Sequence, residues 1–155
     1  MIVENNTESK TFENVSAGPH TAVLVDNVDL GLETVEFEGD TKEQHKMKLV
    51  FEVDQQMEDG RPMIISRKMT ANVSSEKATL RQTLETWLGR PLTGEEQRSF
   101  DLDSLIGTSA SIMVIHNQDK KEKDKVWANI DRVYPAEKKL KPSGKYIRVQ
   151  DRSED

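Results

Sequence analysis

The chain has 155 residues, 34% hydrophobic and 32% charged, with a net charge of −6. That length fits one domain with tails, and the low apolar share leaves parts of it outside any core. The absence of cysteine excludes disulfides, zinc–thiolate sites and cysteine nucleophiles; no run approaches the ~20 apolar residues of a bilayer span, and the polar, acidic stretch Met1 to Lys10 does not read as a signal peptide.

Residues 1–11 lack periodicity and read as a flexible N-terminal tail. After Gly18-Pro19, a valine-rich strand runs from His20 to Leu30. Its alternation lapses at Asp26-Asn27, which predicts a bulge or bend, and Gly31 extends that bend into a second arm, Leu32 to Phe37. His45 to Asp54 alternates cleanly: Met47, Leu49, Phe51 and Val53 share one face, and Lys46, Lys48 and Glu52 the other. Asp59-Gly60 marks a hairpin turn to a returning strand, Arg61 to Thr70. The period then changes. Ser74 or Ser75 can cap a helix with Leu80, Leu84, Trp87 and Leu88 on one stripe, stopped by Gly89. Thr93 to Glu96 has capping-box spacing, and Asp101 to Ile106 reads as a single turn. Two strands follow, Ser109 to Asn117 and Lys125 to Tyr134. Residues 136–155 read as a basic arm with an acidic tip, mobile from about residue 140.

This order, three strands, a helix and two strands, is that of the five-stranded Greek-key barrel called the OB-fold, here spanning residues 12–135. An immunoglobulin-like sandwich fits worse, since it wants about seven strands and no central helix.

Enzyme signals fail. There is no phosphate-binding glycine loop, no HExxH and no metal-ligand spacing, so neither metal nor cofactor is expected. Ser66 and Ser111 lie in strands without an evident histidine partner. His116 reads as an exposed or capping residue, and helix capping explains the acid pairs Glu95-Glu96 and Asp101/Asp103. Binding signals survive better. Charge is uneven, with residues 1–40 at −8 and residues 120–149 at +6. Lys46 and Lys48 face away from the core. Either Arg67 or Lys68 joins them, and Arg61 lies at the turn. Such cations suit a phosphate backbone or an ordinary solvated sheet face. Lys120, Lys121 and Lys125 either extend the basic stripe or merely solvate a loop. Trp127 is out of phase with Val126, Ala128 and Ile130, so it points outward between Lys125 and Arg132. There it either stacks on a base or packs under a terminal arm.

Further residues carry a resemblance. Met47 to Val53, Arg61-Pro62, "LETWLGRPLTGEE" from Leu84, "FDLDSLIG" from Phe100 and Val114-Ile-His116 together resemble the small OB-fold proteins of bacteriophages and prophages, taken to bind single-stranded DNA in replication or recombination. The resemblance covers about residues 12–135. It implies a non-catalytic, sequence-tolerant single-stranded-DNA-binding protein in the cytoplasm of a bacterial host, with the Lys46/Lys48 hairpin at the groove. It also leaves room for replication or recombination proteins at the C-terminal tail and for a homodimer, with no membrane partner. Aromatic content is low at 5%, and the tail lacks the apolar–aromatic tip of host-type versions. The competing reading is a protein–protein module of the same complexes that does not touch DNA.

Overall fold

The computed structural model describes residues 14–122 and 124–152. The expected N-terminal tail and the last three residues of the acidic tip lie outside them. Five strands form one antiparallel sheet: β1 (Gly18–Phe37), β2 (Asp40–Gln56), β3 (Pro62–Thr70), β4 (Ser109–Gln118) and β5 (Val126–Pro135), in the order β3-β2-β1-β4-β5. The protein is thus mainly β. The sheet is open, with β3 and β5 as its edges.

The long first strand organises the sheet. Its start, Gly18 to Val23, pairs with β4, whereas Ala22 to Phe37 pairs with β2. Register slips between Leu24 and Asp26 and between Asp29 and Gly31 are the bends that the lapsed alternation predicts. A third slip lies in β5, where Met113 faces Arg132 but Val114 faces Ile130. The extra residue, Asp131, brings Ile130 and Val133 both into the core and leaves Arg132 outside.

Met47, Leu49, Phe51 and Val53 fill the inner face with Leu24, Ile112 and Val114. Helix α1 (Thr79–Leu88) seals this core with Leu80, Leu84 and Trp87. The Trp87 ring meets Phe51 edge-on at 5.6 Å, and its Nε1–H donates to the Ser109 carbonyl at 2.9 Å, which satisfies a buried donor. Gly89 closes α1 in the left-handed region at φ 73°. Its start differs from expectation. The N-cap is Ala78 without a side-chain bond, because Ser74 and Ser75 turn back on the Asn72 side chain. The short helix α2 (Gly94–Arg98) carries both halves of the predicted Thr93–Glu96 capping box, and a 3-10 turn at Leu102–Leu105 follows.

The C-terminal arm is the main departure. Expected as a tail, residues 136–152 instead lie against the sheet, from Ser109 and Ser111 of β4 across the outer face of β1 and β2. Leu140 and Tyr146 cover Val23, Val25, Val28 and Val50, a second apolar cluster. Two carboxylates under the arm explain why it stays. Asp26 is 1% exposed and accepts from Arg148 Nε at 3.0 Å, the Tyr146 hydroxyl at 2.9 Å and the Val149 amide at 2.9 Å. Glu52, expected outward, is 3% exposed and accepts from the Ser143 amide at 2.8 Å and hydroxyl at 2.7 Å. A buried carboxylate without such donors costs several kcal/mol, on the order of 3–5, so the arm can cover these strands only by bringing donors of its own. Burial pushes the Asp26 carboxyl up. The bonds from Val149, Arg148 and Tyr146 outweigh it and hold the group below its ordinary value. Burial, then the bond to Asp26, raises the Tyr146 phenol to about 12.

Candidate nucleic-acid interface

The expected site residues fall into three groups. The first lies on the outer face of β2 and β3. Lys48 stands directly opposite Lys68, and Lys46 opposite Thr70. Like charges directly opposed destabilise a sheet. Glu33 of β1 offsets this pair with an ion pair to Lys68 at 2.7 Å, and Lys46 donates to the Thr70 hydroxyl at 2.8 Å. Lys46 and Lys48 are half-buried, so they are more fixed than lysines on an open sheet. Lys68 is the one of the Arg67-Lys68 pair that shares their face.

The second group is a cleft between the two sheet edges. Arg67 is in phase with the core residues Met63, Ile65 and Met69, so it points inward along β3. There it meets Arg132 and Asp131 of β5 across a cavity of about 270 Å³. The far wall is one stripe of α1, Thr79, Gln82, Thr83 and Thr86, which borders the apolar stripe that enters the core at the buried Thr83. Arg67 Nη1 donates to the Thr83 hydroxyl at 3.3 Å. Among the described residues no carboxylate forms an ion pair with it. Burial lowers the pKa of Arg67; the Asp131 charge opposes this and Arg132 adds to it. The guanidinium stays charged. A half-buried cation without an ion pair, beside a second arginine and the hydroxyls of Thr79 and Thr86, offers donors to an anion, which the Asp131 carboxylate in the same cleft opposes.

The third group is the β4–β5 turn. Lys120, Lys121 and Lys125 are exposed there, Lys125 in an ion pair with Glu122 at 2.6 Å. Trp127 is 40% exposed, and its indole N–H donates to Asp119 at 2.9 Å. That bond, with the amides of Glu122 and Lys121, lowers the Asp119 carboxyl to about 2. The described part of the C-terminal arm docks on the β1–β2 face. Arg61 belongs to none of the groups. It is tied to Asp59 at 2.7 Å within the β2–β3 turn, beside the arm.

One constellation escaped the sequence reading. Ser16, His20 and Asp54 stand in the order of a nucleophile, a base and an acid. His20 Nε2 lies 2.7 Å from the Ser16 carbonyl, which can only accept, so this nitrogen is the donor. The Ser16 hydroxyl donates to Gln55 at 3.0 Å instead. No base is aimed at it, and the group is a clasp for the entry to β1. Among the described residues no cluster of three histidines or carboxylates could hold a metal, and no helix is long and apolar enough to cross a membrane. The threonine stripe of α1 was also missed, although its spacing of i, i+3, i+4 and i+7 is visible in the sequence. No protein-family model matches the chain, and no curated protein sequence matches it.

Proposed function

We propose that the chain is a non-catalytic OB-fold protein that binds single-stranded DNA with little sequence preference. The observation that carries this reading is the cleft in which Arg67 and Arg132 meet across the two sheet edges. Lys68 lies on the outer side of the same β3 edge, with Lys48 of β2 opposite it. A flexible single strand could lay one phosphate in the cleft and its neighbours along those lysines, with a base against Trp127. The strand order, with β1 shared between β2 and β4 and a helix inserted between β3 and β4, supports the barrel reading. In that reading the polar cleft is the seam of the barrel.

The test is a titration with oligo-dT, read by tryptophan fluorescence at several salt concentrations. Trp87 is buried, so the signal reports on Trp127. Affinity should fall steeply with salt, by about 0.7 log units per log unit of salt for each phosphate contact. Trp127→Ala should cost about 1–3 kcal/mol of binding with the slope kept. The competing reading, an interaction module without DNA contact, is favoured by the acidic β1–β2 hairpin. It takes over if no oligonucleotide binds even at low salt.

A further inference from the structure

Beyond the slip at Asp29 the β1–β2 hairpin leaves the body of the sheet. β1 pairs with β4 only through Val23, and β2 pairs with β3 only from Lys46 onward. Among the described residues, 29–45 thus form a two-stranded arm with no third strand on either edge, held at its root by the Ala71 amide on the His45 carbonyl at 2.7 Å, the Thr70 hydroxyl on Gln44 at 3.2 Å and the Glu33–Lys68 ion pair. At ~3.3 Å per residue it reaches roughly 25 Å to its tip. It carries six carboxylates against one lysine, Lys42, a net of −5. It also exposes large apolar side chains: Leu30 at 42%, Leu32 at 69% and Phe37 at 63%. At its root lies a cleft of about 280 Å³ that includes Asp29, Asp101, Asp103 and Phe100. Asn27 lines the same cleft, and its Oδ1 is buried without a donor among the described residues. Such a surface repels a nucleic acid and repels its own image edge to edge. It fits a basic partner that brings an N–H donor.

The chain has such a surface. Residues 136–148 carry four lysines and Arg148 against Glu137, a net of +4. Lys138, Lys139, Lys141 and Lys145 are exposed, while Arg148 is spent on Asp26 and Asp103. This arm crosses β1 at Val23 to Val28, just before the acidic hairpin begins. Basic arm and acidic hairpin therefore follow one another along a single strand. The hairpin extends away from the arm, so it cannot fold back onto the arm of its own chain. Two copies laid antiparallel would set each acidic hairpin against the other's basic arm.

We infer that the protein pairs with a second copy of itself, the acidic hairpin of each protomer seated on the basic C-terminal arm of the other. The contact is reciprocal and closes at two copies. It does not rest on the DNA reading, because it needs no nucleic acid.

The experiment is a charge swap followed by sedimentation velocity without DNA. One variant carries Glu36→Lys, Glu38→Lys and Glu43→Lys, and the other Lys138→Glu, Lys139→Glu and Lys141→Glu. All six side chains are exposed and outside the ion pairs above, so far-UV circular dichroism and thermal midpoints should match the parent. The parent should form a dimer whose dissociation constant rises with salt. Each variant alone should associate at least about tenfold more weakly. The two mixed should recover a heterodimer, because both contacts are again between opposite charges. A parent that stays monomeric at low salt overturns the inference. So does a dimer that neither variant weakens, or two weakened variants that do not recover on mixing. In the last case the hairpin serves a basic partner of another kind.

Discussion

The two halves of β1 are one continuous strand with opposite fates. From Ala22 to Val28 it is buried on both faces, Ala22 and Leu24 in the main core and Val23, Val25 and Val28 under the C-terminal arm. From Leu30 to Phe37 every side chain but the half-buried Val35 is exposed. Strand propensity and apolar content do not separate the halves. The difference lies in segments far away in sequence, since the arm that covers the first half begins more than a hundred residues later. A β-strand thus acquires its inside and outside from its neighbours. Where neighbours are missing, exposed leucines on a charged frame mark a surface kept for a partner.

Removing the cover is the strongest way to break this contrast. Deleting residues 140–155 uncovers the second cluster and returns Asp26 and Glu52, now without the arm's donors, to water. We expect a loss of at least about 1.5–3 kcal/mol, the worth of one large buried apolar side chain, read as a lower urea midpoint. If the truncated protein unfolds at the parent's midpoint, the arm is not part of the fold. Acid is a gentler probe. The Asp26 carboxyl is held below its ordinary value, so its contribution to stability is fully present above ~pH 3.9. That contribution is lost as pH falls through the lower folded value. Asp26→Asn should therefore be less stable than the parent at neutral pH, and the gap should narrow below about pH 4. A gap independent of pH would mean that the charge of Asp26 is not what binds the arm. The smallest effect belongs to the open half. Leu32→Ser should change stability by no more than ~0.5 kcal/mol, as for other surface positions, while it weakens self-association. A large loss of stability would show that Leu32 is covered within its own protomer.

Much of this fold was legible because it rests on local periodicity. The bulge at Asp26, the inner face from Met47 to Val53, the α1 stripe and the Thr93 capping box are all written within windows of about ten residues. The arm was not legible. Tyr146 and Arg148 find Asp26 across some 120 residues, and a polar, basic segment with few apolar residues resembles a free tail. Glu52 was misread for the same reason: alternation assigns it to the outer face, and only the arm makes that face an interior. The cleft was half legible. Met63, Ile65, Arg67 and Met69 share one phase, which marks Arg67 as a cation at a core position. Its meeting with Arg132 depends on the extra residue at Asp131, and that slip leaves no periodic trace. The openness of the sheet was illegible for the same reason, since strand order along the chain says nothing of whether its two edges pair.

The central claim is that the Arg67–Arg132 cleft holds a phosphate of single-stranded DNA. Its most direct test is the salt dependence of oligo-dT binding by the Arg67→Ala/Arg132→Ala double variant, measured beside the parent. Loss of one or two phosphate contacts should reduce the log–log slope by about 0.7–1.4 and weaken binding at low salt, with the fold intact by circular dichroism. A folded double variant that binds with the parent's affinity and slope would contradict the claim.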